Sequence, residues 1–138
     1  MPDSDLRNCI GVDRFAAHVG IELLEVQPGQ ATARLKIENH HLNGLGRTQG
    51  GAVFTLADLA FAAASNSHGI AAMAISVNIF FVKATSAGSV LTARAMEISR
   101  NAKLATYQVD VTSETGERVA SFQGMVYRKT PAPSLITK

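Results

Sequence analysis

The sequence predicts an α+β fold in which one antiparallel β-sheet wraps around a single long central helix. Three observations predict it. Residues 49–67, QGGAVFTLADLAFAAASNS, place Phe54, Leu56, Leu59, Phe61 and a series of alanines on all sides of a helix, which must then be covered over most of its circumference. Beyond residue 70 the chain turns to β-branched and aromatic residues with apolar–polar alternation, the two-residue period of strands. Turn-forming stretches, QPGQ (27–30), RNAK (100–103) and ETGE (114–117), separate these segments closely, as antiparallel neighbours require.

Taken in order, GVDRFAAHV (11–19) reads as a short helix that ends at Gly20. IELLEV (21–26) and ATARLKI (31–37) form a strand hairpin, and ENHHLNGLGRT (38–48) is a loop into the principal helix. Asn66, Ser67 and Gly69 mark the end of that helix. Four strands follow as a meander: AAMAISVNIFFVKA (71–84), GSVLTARAMEIS (88–99), LATYQVDVTS (104–113) and RVASFQGMVYRKT (118–130). PAPSLITK (131–138) is a loose tail. No repeat, linker or low-complexity segment divides the chain, so residues 1–138 read as one domain with its core at about 14–130. A sheet curled around one helix is the architecture known as the hotdog fold.

Composition removes several function classes. The 138 residues are 46% hydrophobic and 17% charged, with a net charge of +2 from scattered Lys and Arg, which is too even for a nucleic-acid footprint. Cys9 is the only cysteine, which excludes a disulfide framework or a CxxC site. His18, His40, His41 and His68 lack ligand spacing, so no metal is expected, and His40 and His41 read as polar loop residues. The opening MPDSDLRN has no apolar core of a signal peptide, and the longest apolar run, AVFTLADLAFAAAS, contains Asp58. The expectation is a cytoplasmic protein without a membrane span.

The chemistry concentrates at the start of the helix. Gly44, Gly46, Gly50 and Gly51 do not make a P-loop, since no Lys follows at the required spacing, and they do not complete GxGxxG. A helix start instead offers unpaired N–H groups and partial positive charge, and glycines leave these open to an oxyanion. The same glycines also serve as a flexible connection with close packing. Asp58 shares a helical stripe with Gly51, Phe54, Thr55, Ala62 and Ser65. Such a stripe faces water, or it lines a cleft in which the carboxylate is base or nucleophile and Gly51 and Thr55 lie along the substrate. Spacing alone leaves both open. It does fix one distance: eight residues separate Gly50 from Asp58, about 12 Å along a helix. If both act on one carbonyl, they come from two chains.

HLNGLGRTQGGAVFTLADLAFAAASNSHG (41–69) resembles the hotdog-fold acyl-CoA thioesterases of the PaaI, phenylacetate-degradation type. The matching residues are Asn43, Gly44, Gly50, Gly51, Leu56, Ala57, Asp58, Ala60, Phe61, Asn66 and Ser67. The resemblance implies that Asp58 activates water or attacks the thioester carbonyl, that the Gly50 N–H polarises its oxygen, and that Asn43 shapes the site. It also implies a homodimer, or a homotetramer built as a dimer of dimers, with each site shared between subunits. No cofactor is implied, because coenzyme A is part of the acyl-CoA substrate. Gln49 replaces a family His; it can donate a hydrogen bond but cannot carry a proton. Ala74 stands where some relatives have a hydroxyl; Ser76 and Asn78, on the same strand face, are the candidates to compensate for it, the alternative being ordinary strand polarity. Lys83, Arg100 and Lys103 are the candidate cations for CoA phosphates. Two other readings are weighed. A non-catalytic acyl-CoA sensor has no need of Asp58, and a hotdog hydratase or dehydratase uses a His five residues after its Asp, where this chain has Ala63.

Overall fold

The computed structural model describes residues 12–129; Cys9, Gly11 and the tail from Pro131 lie outside the described residues. The first helix, α1 (Arg14–Val19), starts later than its sequence pattern implies because Asp13 is its cap: Oδ1 accepts the Ala16 N–H at 2.9 Å. Gly20 closes the helix at φ 100°, a conformation that favours glycine. Strands β1 (Glu22–Gln27) and β2 (Gln30–Lys36) form the expected hairpin. A single 3₁₀ turn at Asn39–His41 breaks the loop that leads to α2 (Gly50–Ser65). Four more strands follow: β3 (Ala72–Phe81), β4 (Val90–Arg100), β5 (Leu104–Thr112) and β6 (Arg118–Arg128).

The sheet is fully antiparallel in the order β1-β2-β4-β5-β6-β3. This corrects the four-strand meander: β4, β5 and β6 are one, but β3 pairs with β6 at the far edge. The connection 82–89 explains the difference. Instead of turning back, it runs beneath the start of α2, where Val82 and Lys83 donate to Val119 O at 2.9 and 3.2 Å and Thr48 donates to Thr85 O at 2.9 Å. It reaches β2 at the other side, with Ile37 N–H on Ser89 O at 2.8 Å. The hotdog architecture therefore stands, with the helix packed chiefly on β2, β4 and β5.

Ala52, Val53, Leu56, Ala57, Leu59, Ala60, Phe61, Ala63 and Ala64 of α2 are buried, and the sheet opposes them with alanines and valines, so helix and strands approach closely. Phe61 packs against Tyr107 and Phe122 at ring-centroid distances of 5.8 and 5.4 Å. Its ring lies directly on Gly124, where a Cβ would stand 2.5 Å from Phe61 Cζ. At the far end of α2, Asn66 is bonded to Ala62 O, Ala72 O and Ala72 N–H, which anchors the helix to the start of β3. Beside it, Glu97 Oε1 accepts from Tyr107 OH at 2.9 Å and bonds His68 Nε2 at 2.8 Å, with Arg100 Nε 3.5 Å from Oε2. Burial pushes the Glu97 carboxyl up, but those hydrogen bonds and the His68 and Arg100 charges outweigh it and hold it below the usual range.

The edge strand β3 is exposed at Met73, Ile75, Phe80 and Phe81. A bulge lies between Ala74 and Ser76, with Ala74 opposite Val126 and Ser76 opposite Met125.

Candidate active site

The start of α2 is built by its loop. Asn43 N–H donates to Arg47 O at 2.7 Å, while Asn43 Oδ1 accepts the Leu45 and Arg47 N–H groups at 2.9 and 3.1 Å. These bonds fix the loop and leave the Asn43 Nδ2 amide without a partner among the described residues. Gly46, at φ 75°, allows the reversal. His41, 5% exposed, ties the loop to α1: Nδ1 accepts the Glu38 N–H at 2.9 Å, so Nε2 carries the proton and donates to Val19 O at 2.6 Å. Both ring nitrogens are committed, which makes His41 a structural residue.

Gln49 is the N-cap of α2 (φ −67°, ψ 135°), and its Oε1 accepts the Gly51 N–H. Ala52 N–H returns to Gln49 O at 3.0 Å. The Gly50 N–H has no acceptor among the described residues. It is the free donor at this helix start.

A cavity of about 430 Å³ lies here, lined by Asn43, Arg47, Gly50, Phe81, Lys83 and Thr85 among others. The structure thus brings together three of the expected residues, Asn43, Gly50 and Lys83. Lys83 also pairs with Glu117, which divides its charge. Arg47 is the cation that sequence reasoning missed: it lines this cavity, and its guanidinium has no partner among the described residues. Its place within the glycine loop, two residues before the cap, is the signal that would have found it. A second cavity, about 470 Å³, lies on the other flank of the helix start and includes Phe15, His18, His40, Gln49, Gly51, Phe54 and Thr55 in its lining.

Asp58 lies farther along the Gly51–Thr55 stripe, half-buried and lining neither cavity. Its carboxyl is raised above the usual aspartate range, first by burial and then by the negative charge of Asp13. A carboxylate so placed is a better base than a solvated one.

Two other expectations are corrected. Ser76 and Asn78 face away from α2. They sit opposite Met125 and Gln123, whereas Phe122 and Gly124 face the helix, and they line a hollow of about 370 Å³ on the outer sheet surface. The bulge is the cause, because one extra residue after Ala74 moves the following side chains to the opposite face. Arg100 and Lys103 sit at the β4–β5 turn, where Lys103 O accepts the Arg128 N–H and Arg128 pairs with Ala72. That is the start of β3, whereas Gly50 lies against Phe81 at its end, about 30 Å away along a ten-residue strand. Within one chain these two cations cannot serve the Gly50 cavity.

A helix with one free N-terminal donor, a half-buried carboxylate and a sheet curled around it matches known proteins closely. The thioesterase superfamily model matches residues 45–120. The chain belongs to the thioesterase superfamily. The acyl-coenzyme A thioesterase PaaI of Escherichia coli is 34% identical over 116 residues, 84% of this chain and 83% of that protein. The solved structure of the E. coli PaaI protein aligns with a TM-score of 0.88 over 94% of this chain and 95% of that one, at 30% identity. A mutant of the phenylacetic acid degradation protein PaaI from Thermus thermophilus aligns with a TM-score of 0.82 over 85% of this chain and 100% of that one, at 38% identity. The PaaI-type resemblance and the enzyme class, a thioester hydrolase, are thereby shown. Among the described residues no group of three His, Cys, Asp or Glu is arranged to hold a metal, and no helix is long and apolar enough to cross a membrane.

Proposed function

We propose that this superfamily member hydrolyses an aryl- or medium-chain acyl-CoA to the free acid and CoA, in the cytoplasm and without a metal or other cofactor. The observation that carries the site assignment is the unpartnered Gly50 N–H opening into the cavity of Asn43 and Arg47. A thioester oxygen accepting from Gly50 N–H, with the Asn43 amide beside it, gains stabilisation as it becomes an oxyanion. Asp58 then activates water, or attacks the carbonyl itself, and CoA departs as the thiol. The likeness to PaaI proteins, one of them named for phenylacetic acid degradation, supports an aryl acyl group, and the 470 Å³ cavity with Phe15 and Phe54 has room for one.

The site is completed by a second copy of the chain. Gly50 and Asp58 stand about 12 Å apart on one straight helix, beyond the roughly 3 Å that a reacting carbonyl permits. The exposed apolar edge of β3 is a surface that seeks a partner strand. A two-fold axis across that edge sets the start of one β3 beside the end of the other, and the helices follow. The partner subunit's Asp58 then approaches Gly50, and the partner's Arg100 and Lys103 come toward the same end for CoA phosphates. Further pairing into a dimer of dimers is compatible with this arrangement.

The test uses two inactive chains, Asp58→Ala and Gly50→Pro. Mixed by co-refolding in equal amounts they give about half heterodimers, each with one intact site of two, so thiol release from acyl-CoA recovers toward roughly a quarter of wild type. No recovery, with heterodimers confirmed by mass, overturns the shared site. Loss of wild-type activity on EDTA treatment, restored by zinc, overturns the metal-free assignment.

A further inference from the structure

Gly50 and Gly51 are adjacent at the helix start, yet only Gly50 offers its N–H. The difference is made by Gln49. Its side chain curls back so that Oε1 accepts the Gly51 N–H, and a backbone N–H only donates, so the atom over Gly51 is the amide oxygen. Glycine at 51 leaves room for this curl: a Cβ there would stand 2.6 Å from Gln49 Oε1, so the amide would have to move away. Gln49 is itself held, its N–H on His41 O at 2.8 Å and its C=O accepting from Ala52 at 3.0 Å. His41 in turn is locked by Glu38 and Val19.

We propose that Gln49 and Gly51 form a paired positioning device: Gln49 fills the Gly51 donor and fixes the first turn, so that Gly50 N–H alone is aimed at the thioester oxygen. Gln49 thus acts through the backbone, and its proton-free side chain is suited to the task, since its acceptor survives at any pH at which the protein folds. An uncapped first turn frays and spreads its donors. A displacement of an ångström at a reacting centre is worth up to about a hundredfold in rate. The inference rests on the thioesterase reading of Gly50.

Three variants test it. Gln49→Met keeps the length and removes the acceptor. Gly51→Ala leaves Gln49 in place but expels its side chain, and alanine is otherwise the better helix former, so thermal stability holds. Both should lower kcat about tenfold or more with KM within about twofold of wild type. Gln49→Ser, a good cap too short to reach substrate, should recover most of the kcat lost in Gln49→Met. A readout independent of turnover is amide hydrogen exchange at Gly51, slow in wild type and fast in Gln49→Met and Gly51→Ala. Equal exchange in all of these overturns the cap. Full kcat in Gly51→Ala with fast exchange, or no recovery in Gln49→Ser, overturns its role in aiming Gly50. A wild type that turns over no acyl-CoA strikes the substrate assignment instead, and the exchange comparison then decides alone for or against the cap.

Discussion

Replacing Gly50 by proline isolates a single atom. Gly50 is the first residue of α2, the position at which proline is favoured because that N–H has no helical partner. Proline also demands an extended residue before it, and Gln49 at φ −67° and ψ 135° already is one. The fold therefore tolerates Gly50→Pro while losing the proposed oxyanion donor. Gly50→Ala is the matched control. A Cβ at 50 meets the Phe81 ring at 3.2 Å from Cζ and 3.5 Å from Cε1, a tight contact that Phe81, 55% exposed, relieves by a small ring shift. The alanine variant bears this steric cost but keeps its N–H. Loss of one oxyanion donor lowers kcat by about 10²–10³, or about 2.7–4 kcal/mol of transition-state stabilisation. Steady-state release of CoA thiol should place Gly50→Ala within about threefold of wild type and Gly50→Pro about a hundredfold or more below it, with similar melting temperatures. Equal kcat values for the two folded variants would refute the reasoning, because the N–H is what separates them.

Asp58→Asn should lower kcat by about 10²–10⁴ and at the same time stabilise the protein at neutral pH. The sign follows from the raised carboxyl: between its unfolded and folded values the native state binds more protons, so wild-type stability falls as pH rises through that window. The thermal advantage of Asn, about 2–8 °C per kcal/mol, should vanish below pH ~3.8, and an Asn variant less stable at pH 7 contradicts the burial argument. Glu97→Gln behaves in the opposite sense. Its lowered carboxyl stabilises the fold above the unfolded value of 4.5, so the substitution should cost about 1–3 kcal/mol at pH 7, and the difference from wild type should shrink as pH falls through the folded value. Denaturant titration at pH 7 and pH 3 checks both sign and window.

The helix, its glycine start and most strands were legible because each depends on local pattern: Phe54 to Phe61 at helical spacing, alternation in β5, and ETGE at a tight turn. What was not legible depends on pairing between distant segments. Nothing in AAMAISVNIFFVKA announces that β3 joins β6 or that an extra residue near Ile75 reverses the faces of Ser76 and Asn78. The Lys83–Glu117 pair spans 34 positions, and the charge of Asp13 reaches Asp58 only because α1 lies on α2. Gln49 is the instructive case. The sequence shows only that it cannot carry a proton; the fold of its amide over Gly51, on which its proposed role rests, depends on the three-dimensional structure.

Asp58 on a greasy helix and the exposed apolar edge of β3 have a common origin. α2 lies chiefly over β2, β4 and β5, and β3 at the sheet edge is only partly covered, so Val77 and Ile79 stay half-buried. The stripe of Gly51, Thr55, Asp58 and Ala62 is the part of α2 that the sheet does not reach. Leucine along this stripe would gain little burial in the single chain, and it would crowd the place on the helix where a carboxylate is desolvated without being sealed. Desolvation is what raises the Asp58 carboxyl, and incomplete covering is what would admit a substrate and a second helix in the proposed two-chain site. A mutation that crowds the stripe, such as Ala62→Leu, therefore acts on the proposed site rather than on the core, whereas one that polarises it returns Asp58 toward an ordinary solvated acid. In the proposed two-chain site, this flank is the one left for a partner to cover.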